Sequence, residues 1–371
     1  MSQVNRPSAR WWRWNFLNVI GLLIGASLLI LGGLLWIDLS GPPTSEEAEA
    51  LGRSGDWNTA LRYWQKINET KSATSRSHLG EARACLALSR AALAERSLQA
   101  AIATDPTDAE PYRFLLKILR MENRIVEAQR LGWSGYDAVA SQSRRELLGE
   151  LTLALLADLP DDLVRATLER WSDADRDDVN ARVALLRRMA AQPRAADPNR
   201  HTILEWMETL LAAHPDNINV REALVSTLAD SGELERGQEV ISTWPEEQHD
   251  ARYWNLRGRW QLEYDHQPKE AVLSLEKALQ ETPQDWRTWY RLARALSSIR
   301  RNEESLKAAE RVKRLRELLD PLSLGPRLDR LFEHQRTTGT LLELAKLAEQ
   351  AGLLRLATAW RSELEAGSHE D

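Results

Sequence analysis

The sequence holds little from which to build a sheet. Runs of Val, Ile and Thr in strict alternation are missing, as is any Asn-Gly or Asp-Gly hairpin signal between apolar runs. A single cysteine, Cys85, excludes an internal disulfide and leaves no CxxC pair for zinc or redox chemistry. Its neighbours Ala84, Leu86 and Leu88 mark it as a small buried filler. Catalytic and metal signatures are equally thin. The seven histidines (His78, His201, His214, His249, His266, His334 and His369) stand singly, with neither HExxH nor His-x-His. No GxGxxG, Walker lysine motif or GxSxG turn occurs. "DADRDD" from Asp173 imitates the first carboxylates of a calcium loop, but Asp178 stands where glycine belongs and Ala184 where the closing glutamate belongs. It reads as a solvated turn between helices. Asn68 opens a formal glycosylation sequon, which matters only in a host that modifies such sites. The expectation is a protein that is not an enzyme and has no cofactor and no metal.

What is present is Ala, Leu, Arg and Glu nearly everywhere, with fifteen Trp against three Phe and six Tyr. That palette predicts an all-α chain. "DWRTWYRLARAL", from Asp285 to Leu296, shows the pattern: Trp289, Leu292, Ala293 and Leu296 share one face of a helix. Arg287, Tyr290, Arg291 and Arg294 occupy the other.

From Phe16 to Ile37 runs a stretch of 22 uncharged residues. As a helix it would reach about 33 Å, enough to cross a hydrocarbon core. It predicts an uncleaved transmembrane helix, with Trp11, Trp12, Trp14 and Trp36 as interfacial anchors. A signal peptide is the competing view; the run is too long for an ordinary one, and "DLSGPPTS" has no small-x-small cleavage site. Arg6, Arg10 and Arg13 precede the span while Asp38, Glu46, Glu47 and Glu49 follow it, which places residues 1–15 in the cytoplasm and the bulk of the chain outside it, as a single-pass protein of the inner membrane. Residues 38–44 form a short linker. Gly21 and Gly25 make a small-xxx-small pair that predicts weak homo-oligomers through the membrane helix. Removing the three N-terminal arginines from the net charge of −6 leaves −9 for residues 38–371, which disfavours nucleic acid as a partner.

The chain also repeats itself. Ala60, Trp64 and Ile67 in one segment, Ala94, Leu98, Ala101 and Pro106 in another, and Ala271, Leu275, Ala278 and Pro283 in a third follow the same steps. Preceding helices repeat a three-one-three spacing, as in Tyr112, Leu115, Leu116 and Leu119 or Leu341, Leu344, Ala345 and Ala348; Gly55, Gly232 and Gly352 sit between paired helices. This resembles the tetratricopeptide repeat, a 34-residue helix–turn–helix. Small residues are needed where the two helices of a unit approach, bulky ones where it fills its neighbour's groove, and proline ends the second helix. Units start near Glu46, Ser75, Ala109, Val220, Ala251, Trp286 and Gly339. Departures include Gly132 in place of an aromatic and an extra residue in "YDHQP". The resemblance implies an α-solenoid in two lobes, 45–192, with degenerate units after 133, and 199–366, before a tail at 367–371. "AAQPRAADPNR" (Ala190 to Arg200) is the expected break, and "LDPLSLGPRL" (Leu319 to Leu328) a second irregular joint. Trp57, Trp64, Trp244, Trp254 and Trp289 fall on packing positions of the repeat, leaving Trp133, Trp171, Trp260 and Trp286 without a place.

In that family the first helix of each unit lines a concave surface where peptides or partner segments bind. Carried over, its binding positions are Arg287, Tyr290, Arg291 and Arg294 in one unit and Arg252, Asn255 and Arg259 in the unit before. In the unit led by Tyr112 they are Glu110, Arg113, Phe114 and Lys117, with Arg120 one turn on; in the second unit they are Arg76 and Arg83. Arg287 and Arg291 are similar in place to basic residues of the family's carboxylate clamp, although its asparagine pair is not reproduced across three units. The resemblance thus implies a scaffold that binds proteins or peptides, acidic segments among them, in envelope assembly, folding or secretion. The rival readings are a cytoplasm-facing, membrane-tethered regulatory adaptor and the docking subunit of an enzyme complex. Against the groove stands the plain alternative that arginines merely solvate an exposed helix face.

Overall fold

The structure, a computed structural model, describes residues 43–71, 73–191, 199–333 and 337–367. Among these there are nineteen α-helices, one 3₁₀ turn and no strand. The chain divides into two compact units, Met1–Ala73 and Thr74–Asp371. In the first, α1 (Ser45–Ser54) pairs with α2 (Trp57–Asn68). Thr44 and Glu47 cap α1 reciprocally, and α2 buries Ala60, Leu61, Trp64 and Ile67.

The second unit runs α3 (Ser75–Ala87), α4 (Ala91–Thr104), α5 (Ala109–Met121), α6 (Ile125–Ala138), α7 (Ser141–Leu156), α8 (Asp161–Ala174), α9 (Val179–Ala191) and α10 (Arg200–Ala213). It continues with α11 (Ile218–Ser231), α12 (Leu234–Ser242), α13 (Ala251–Glu263), α14 (Pro268–Glu281), α15 (Trp286–Ser298), α16 (Asn302–Leu318), α17 (Pro321–Glu333), α18 (Thr338–Ala351) and α19 (Leu354–Gly367). Local chemistry sets the pairing. Six first helices begin at a side-chain cap, Thr74, Asp108, Asn217, Asp250, Asp285 or Thr337, whereas α7 follows Ala140 without one. The turn inside a pair places one residue in the left-handed region: Gly55, Ser89 and Asn123, then Gly232, His266 and Arg300. Each series advances by 34 residues, so the turn keeps the repeat's register even where glycine is absent. Gly132 has its own reason, since a Cβ there would lie 2.5 Å from Leu151 Cδ1 and hold α6 off α7.

Packing continues across the stretch expected to divide the lobes, for Val183, Leu186 and Ala190 share a core with Ile203, Leu204, Met207 and Val220. Trp260 and Trp171 are core residues. The irregular joint expected at Leu319–Leu328 is corrected, because the chain there is the helix α17. Pro321 opens it with a fixed helical φ, and Pro326 interrupts it only in its second turn. Asp178 is corrected as well: it is buried, and its carboxylate accepts from Ala181 N at 2.9 Å and from Ala92 N at 3.1 Å, fastening α9 to α4. No group of residues fit to hold a metal occurs among the described residues.

Phe16–Ile37, with Gly21 and Gly25, lies outside the described residues. Among the residues described, no helix is long and apolar enough to cross a membrane. The longest, α16, has 17 residues and carries Glu303, Glu304, Lys307, Glu310 and Arg311. The inner-membrane, extracytoplasmic placement expected above is corrected accordingly, since no described helix supplies a membrane span. The described helices are short because each buries one face against its neighbours and then turns back.

A buried charge cluster ties distant helices of the second unit together. The Arg124 side chain, 8% exposed, meets Glu95 at 2.7 Å, Glu122 at 2.8 Å and Glu127 at 2.6 Å. Glu127 also takes Arg252 Nη1 at 3.0 Å, and Arg252 holds Asp250 at 2.7 Å and Asn219 Oδ1 at 2.7 Å. Burial pushes the Glu122 carboxyl up to about 8 from 4.5, against the pull of Arg124. The neighbouring Asp178 and Glu95 push in the same direction as burial.

Two predictions follow from this frame. Glu122 binds its proton more tightly folded than unfolded, so the stability it contributes is full below about pH 4.5 and is lost as pH rises toward about 8. Glu122→Gln keeps an acceptor for Arg124 without a proton to lose, and urea midpoints between about pH 5 and 9 should decline less steeply with it than in the wild type. The second concerns the turn at Arg300, which is exposed with φ 62°. A non-glycine residue pays roughly 1–2 kcal/mol there, against about 0.5–1 kcal/mol of extra chain entropy for glycine. Arg300→Gly should therefore raise stability by about 0.5–1 kcal/mol and Arg300→Val should lower it, a difference of sign that thermal melting reads directly.

Candidate functional site

The polar faces of the first helices meet in a ladder of ion pairs. In the N-terminal half the base comes first: Arg83 pairs with Glu110, Arg113 with Glu146, Lys117 with Glu150 at 3.2 Å, and Arg187 with Glu222 at 2.9 Å. From α11 onward the order reverses, Asp230 taking Arg259 at 2.7 Å and Glu263 taking Arg294 at 3.3 Å. α11 thus supplies acid to both sides. Most of these pairs are half-exposed and contribute little energy each, but they fix the register between successive units.

Where the ladder leaves off, a cleft of about 1100 Å³ opens, sharing walls with a recess of about 240 Å³. Its sides come from the end of α5 and the turn after it (Arg120, Asn123), the α7–α8 connection (Ala157 to Pro160), α9 (Arg187, Arg188) and α11 (Glu222, Ser226). α13 adds Arg252, Asn255 and Arg259; α15 adds Arg287 and Arg291; α17 adds Leu322, Leu328 and Asp329. Seven arginines face five carboxylates along this lining.

The arginines differ in how well they are compensated. Arg252 is locked in the buried cluster, Arg259 holds both Asp230 and Glu263, and Arg188 holds Asp161. Arg120 has a backbone partner, donating from Nε to the Ala157 carbonyl at 3.2 Å, and burial draws its pKa down. Arg291 donates to Asn255 Oδ1 at 3.1 Å, with Glu263 only at 4.0 Å; burial, then the neighbouring Arg259, pulls its pKa down too. Arg287 is exposed, rests over the Trp286 ring at 4.6 Å and makes no ion pair among the described residues. Asn255 in turn donates to Asp285 at 3.3 Å, the cap of α15. In the recess, Gln284 Oε1 is buried without a hydrogen-bond partner, and Arg187 Nε is equally unpartnered in the cleft. The arrangement has cations short of anions beside an acceptor and a donor short of partners.

Of the residues expected from the sequence, Arg120, Arg252, Asn255, Arg259, Arg287 and Arg291 come together in this cleft. Arg113 and Lys117 spend their charge on Glu146 and Glu150. Tyr290 is 51% exposed, with Arg294 over its ring at 5.9 Å, and neither lines the cleft. Asn123, Arg187, Arg188, Glu222, Gln284 and the whole of α17 were not foreseen. Arg187, Arg188 and α17 fall in segments with a blurred repeat or an apparent joint, whereas Asn123, Glu222 and Gln284 belong to or adjoin clear units but sit at positions to which the repeat assigns no binding role. Trp286, left without a place by the repeat pattern, proves to be a wall of the recess and the platform for Arg287.

Comparison with known proteins agrees with this architecture. Residues 204–259, within α10 to α13, match the family model described as tetratricopeptide repeat. No curated protein matches the chain. Among solved structures it is similar to a chain of the APC/C hetero-tetramer Cut9–Hcn1, at 17% identity over 86% of this chain and 59% of that one, with a TM-score of 0.36. It is also similar to a tetratricopeptide repeat protein from Parabacteroides merdae ATCC 43184, at 13% identity over 68% of this chain and 96% of that one, TM-score 0.33. The P58(IPK) TPR domain matches at 13% identity over 87% of this chain and 96% of that one, TM-score 0.31. Superpositions at these scores carry no argument about function or partners. The family match spans the pair α11–α12, with its left-handed turn at Gly232, and parts of α10 and α13; the chain is similar to the repeat there, within an all-α array of helix–turn–helix units.

Proposed function

We propose that the chain is a non-catalytic protein-interaction scaffold and that its arginine-lined cleft holds an extended, acidic segment of a partner protein. The observation that carries this reading is Arg287, an exposed guanidinium in the cleft that rests over the Trp286 ring and has no ion-pair partner among the described residues. Arg120 and Arg291 support it, since both lose charge stability through burial and neither has a close carboxylate of its own. A partner carboxylate would restore what each has lost. An extended main chain offers N–H donors of the kind Gln284 Oε1 has none of and C=O acceptors of the kind Arg187 Nε has none of. Arg113, Lys117 and Arg294 call for no partner segment, since the ladder already pairs them with Glu146, Glu150 and Glu263.

The test places a photo-crosslinking residue at Ser226, which lines the same cleft, identifies the captured partner and measures its affinity for variants of the full chain. Arg287→Glu combined with Arg291→Gln should weaken binding at least about tenfold, which is 1.4 kcal/mol, and the wild-type affinity should fall as salt rises. Arg287→Glu alone should leave melting nearly unchanged, as exposed substitutions shift stability by less than about 0.5 kcal/mol. Arg113→Glu, outside the cleft, serves as the control. Equal affinity in the cleft and control variants would sink the cleft reading.

A further inference from the structure

In a solenoid each unit touches its sequence neighbours. α19 does more, because it packs on α7 and α6, more than 200 residues earlier. The Trp360 indole is fully buried there, and its Nε1 donates to Thr152 Oγ1 at 3.0 Å. The Thr152 hydroxyl in turn donates a hydrogen bond to the Leu148 carbonyl at 2.7 Å, so it both accepts and donates. Around this anchor the seam is polar: at its exposed edge Arg355 grips Asp137 at 2.8 and 2.9 Å and lies 4.2 Å over the Trp133 ring, while further in Arg145 approaches the buried Glu363 at 3.6 Å. One buried ring flanked on its outer edge by an exposed ion pair, Arg355 with Asp137, is a closure that salt or a competing surface can loosen from that edge.

The same segment of chain supplies a wall of the cleft. α17 buries Leu324, Leu328 and Leu331 along one face, yet leaves Leu322 88% exposed at the cleft lining. Pro326 inside it has no N–H for the Leu322 carbonyl, which weakens its first turn. Arg327 Nε, 2.8 Å from Glu343, fastens α17 to α18, and α18 leads through the left-handed turn at Gly352 into α19.

We propose that α17–α19 is a closing arm, in which the seating of α19 on α6 and α7 holds α17 as the wall of the arginine-lined cleft, and release of that seat opens the cleft to a partner segment. The role of the opening rests on the cleft reading above; the motion itself does not. Hydrogen exchange on the full chain measures it without any ligand. Arg355→Glu should speed exchange of amides in 321–333 and 354–367 by about threefold or more, leave 251–263 unchanged, and be reversed by adding Asp137→Arg, which restores the pair with its signs exchanged. Trp360→Ala should give the same pattern more strongly. Faster exchange confined to 354–367 would overturn the proposal by making α19 a terminal cap, and so would a uniform rise along the chain in both variants, which would make the seam part of one cooperative core. If 321–333 responds but the crosslinked partner binds wild type and Arg355→Glu at equal rates and is indifferent to Arg287, the arm stands and the cleft reading falls.

Discussion

Arg124 is the constraint on which the second unit depends. A guanidinium this deeply buried is tolerated only because Glu95, Glu122 and Glu127 surround it, and those carboxylates come from α4, the α5–α6 turn and α6. Glu127 then reaches Arg252 on α13, which holds Asp250 and Asn219. Arg130, one turn further along α6, meets Asp250 at 3.5 Å and Glu281 at 3.1 Å. Helices more than 100 residues apart are therefore held in one register by a network whose central members, Arg124, Glu122, Arg252 and Asp250, are too buried to be left alone. Such a network need not add net stability, but losing one partner strands the rest, and that asymmetry makes the arrangement specific.

With the inner register fixed, the polar faces of the first helices have two fates. Where successive first helices lie side by side, opposite charges find each other across one unit, and the ladder absorbs Arg83, Arg113, Lys117 and Arg294. Where α5, α9, α13, α15 and α17 converge instead, the basic side chains outnumber the acids that reach them, and a cleft remains. The difference between a solvated arginine and a candidate grip is thus set by the spacing between helices, not by the residue.

Much of this fold could be read along the chain. The caps at Asp108, Asn217, Asp250 and Asp285 and the small residues Ala94, Ala101, Ala271 and Ala278 are local signals, and every expected unit start falls within two residues of an observed helix start. Ser89, Asn123, His266 and Arg300 were not legible as left-handed turn residues, because three of them are not glycine or asparagine and only their spacing from Gly55 and Gly232 betrays them. α17 was misread as a joint since Asp320-Pro321 and Gly325-Pro326 carry turn chemistry, which the burial of Leu324, Leu328 and Leu331 outweighs. The site was legible by half: the arginines of α13 and α15 follow from the repeat, whereas those of α9 lie in units too altered to align.

The sequence by itself determined that this chain is a string of paired, one-sided helices, because caps, small-residue steps and apolar periodicity act within about one turn of where they are written. Only the tertiary structure decided which charges are spent and which are spare, that Trp286 walls a recess, and that α19 closes back onto α7 through Trp360 and Thr152. Those outcomes depend on the twist summed over many units. A few degrees between each pair of neighbours, invisible in any one repeat, fix whether residues two hundred apart meet.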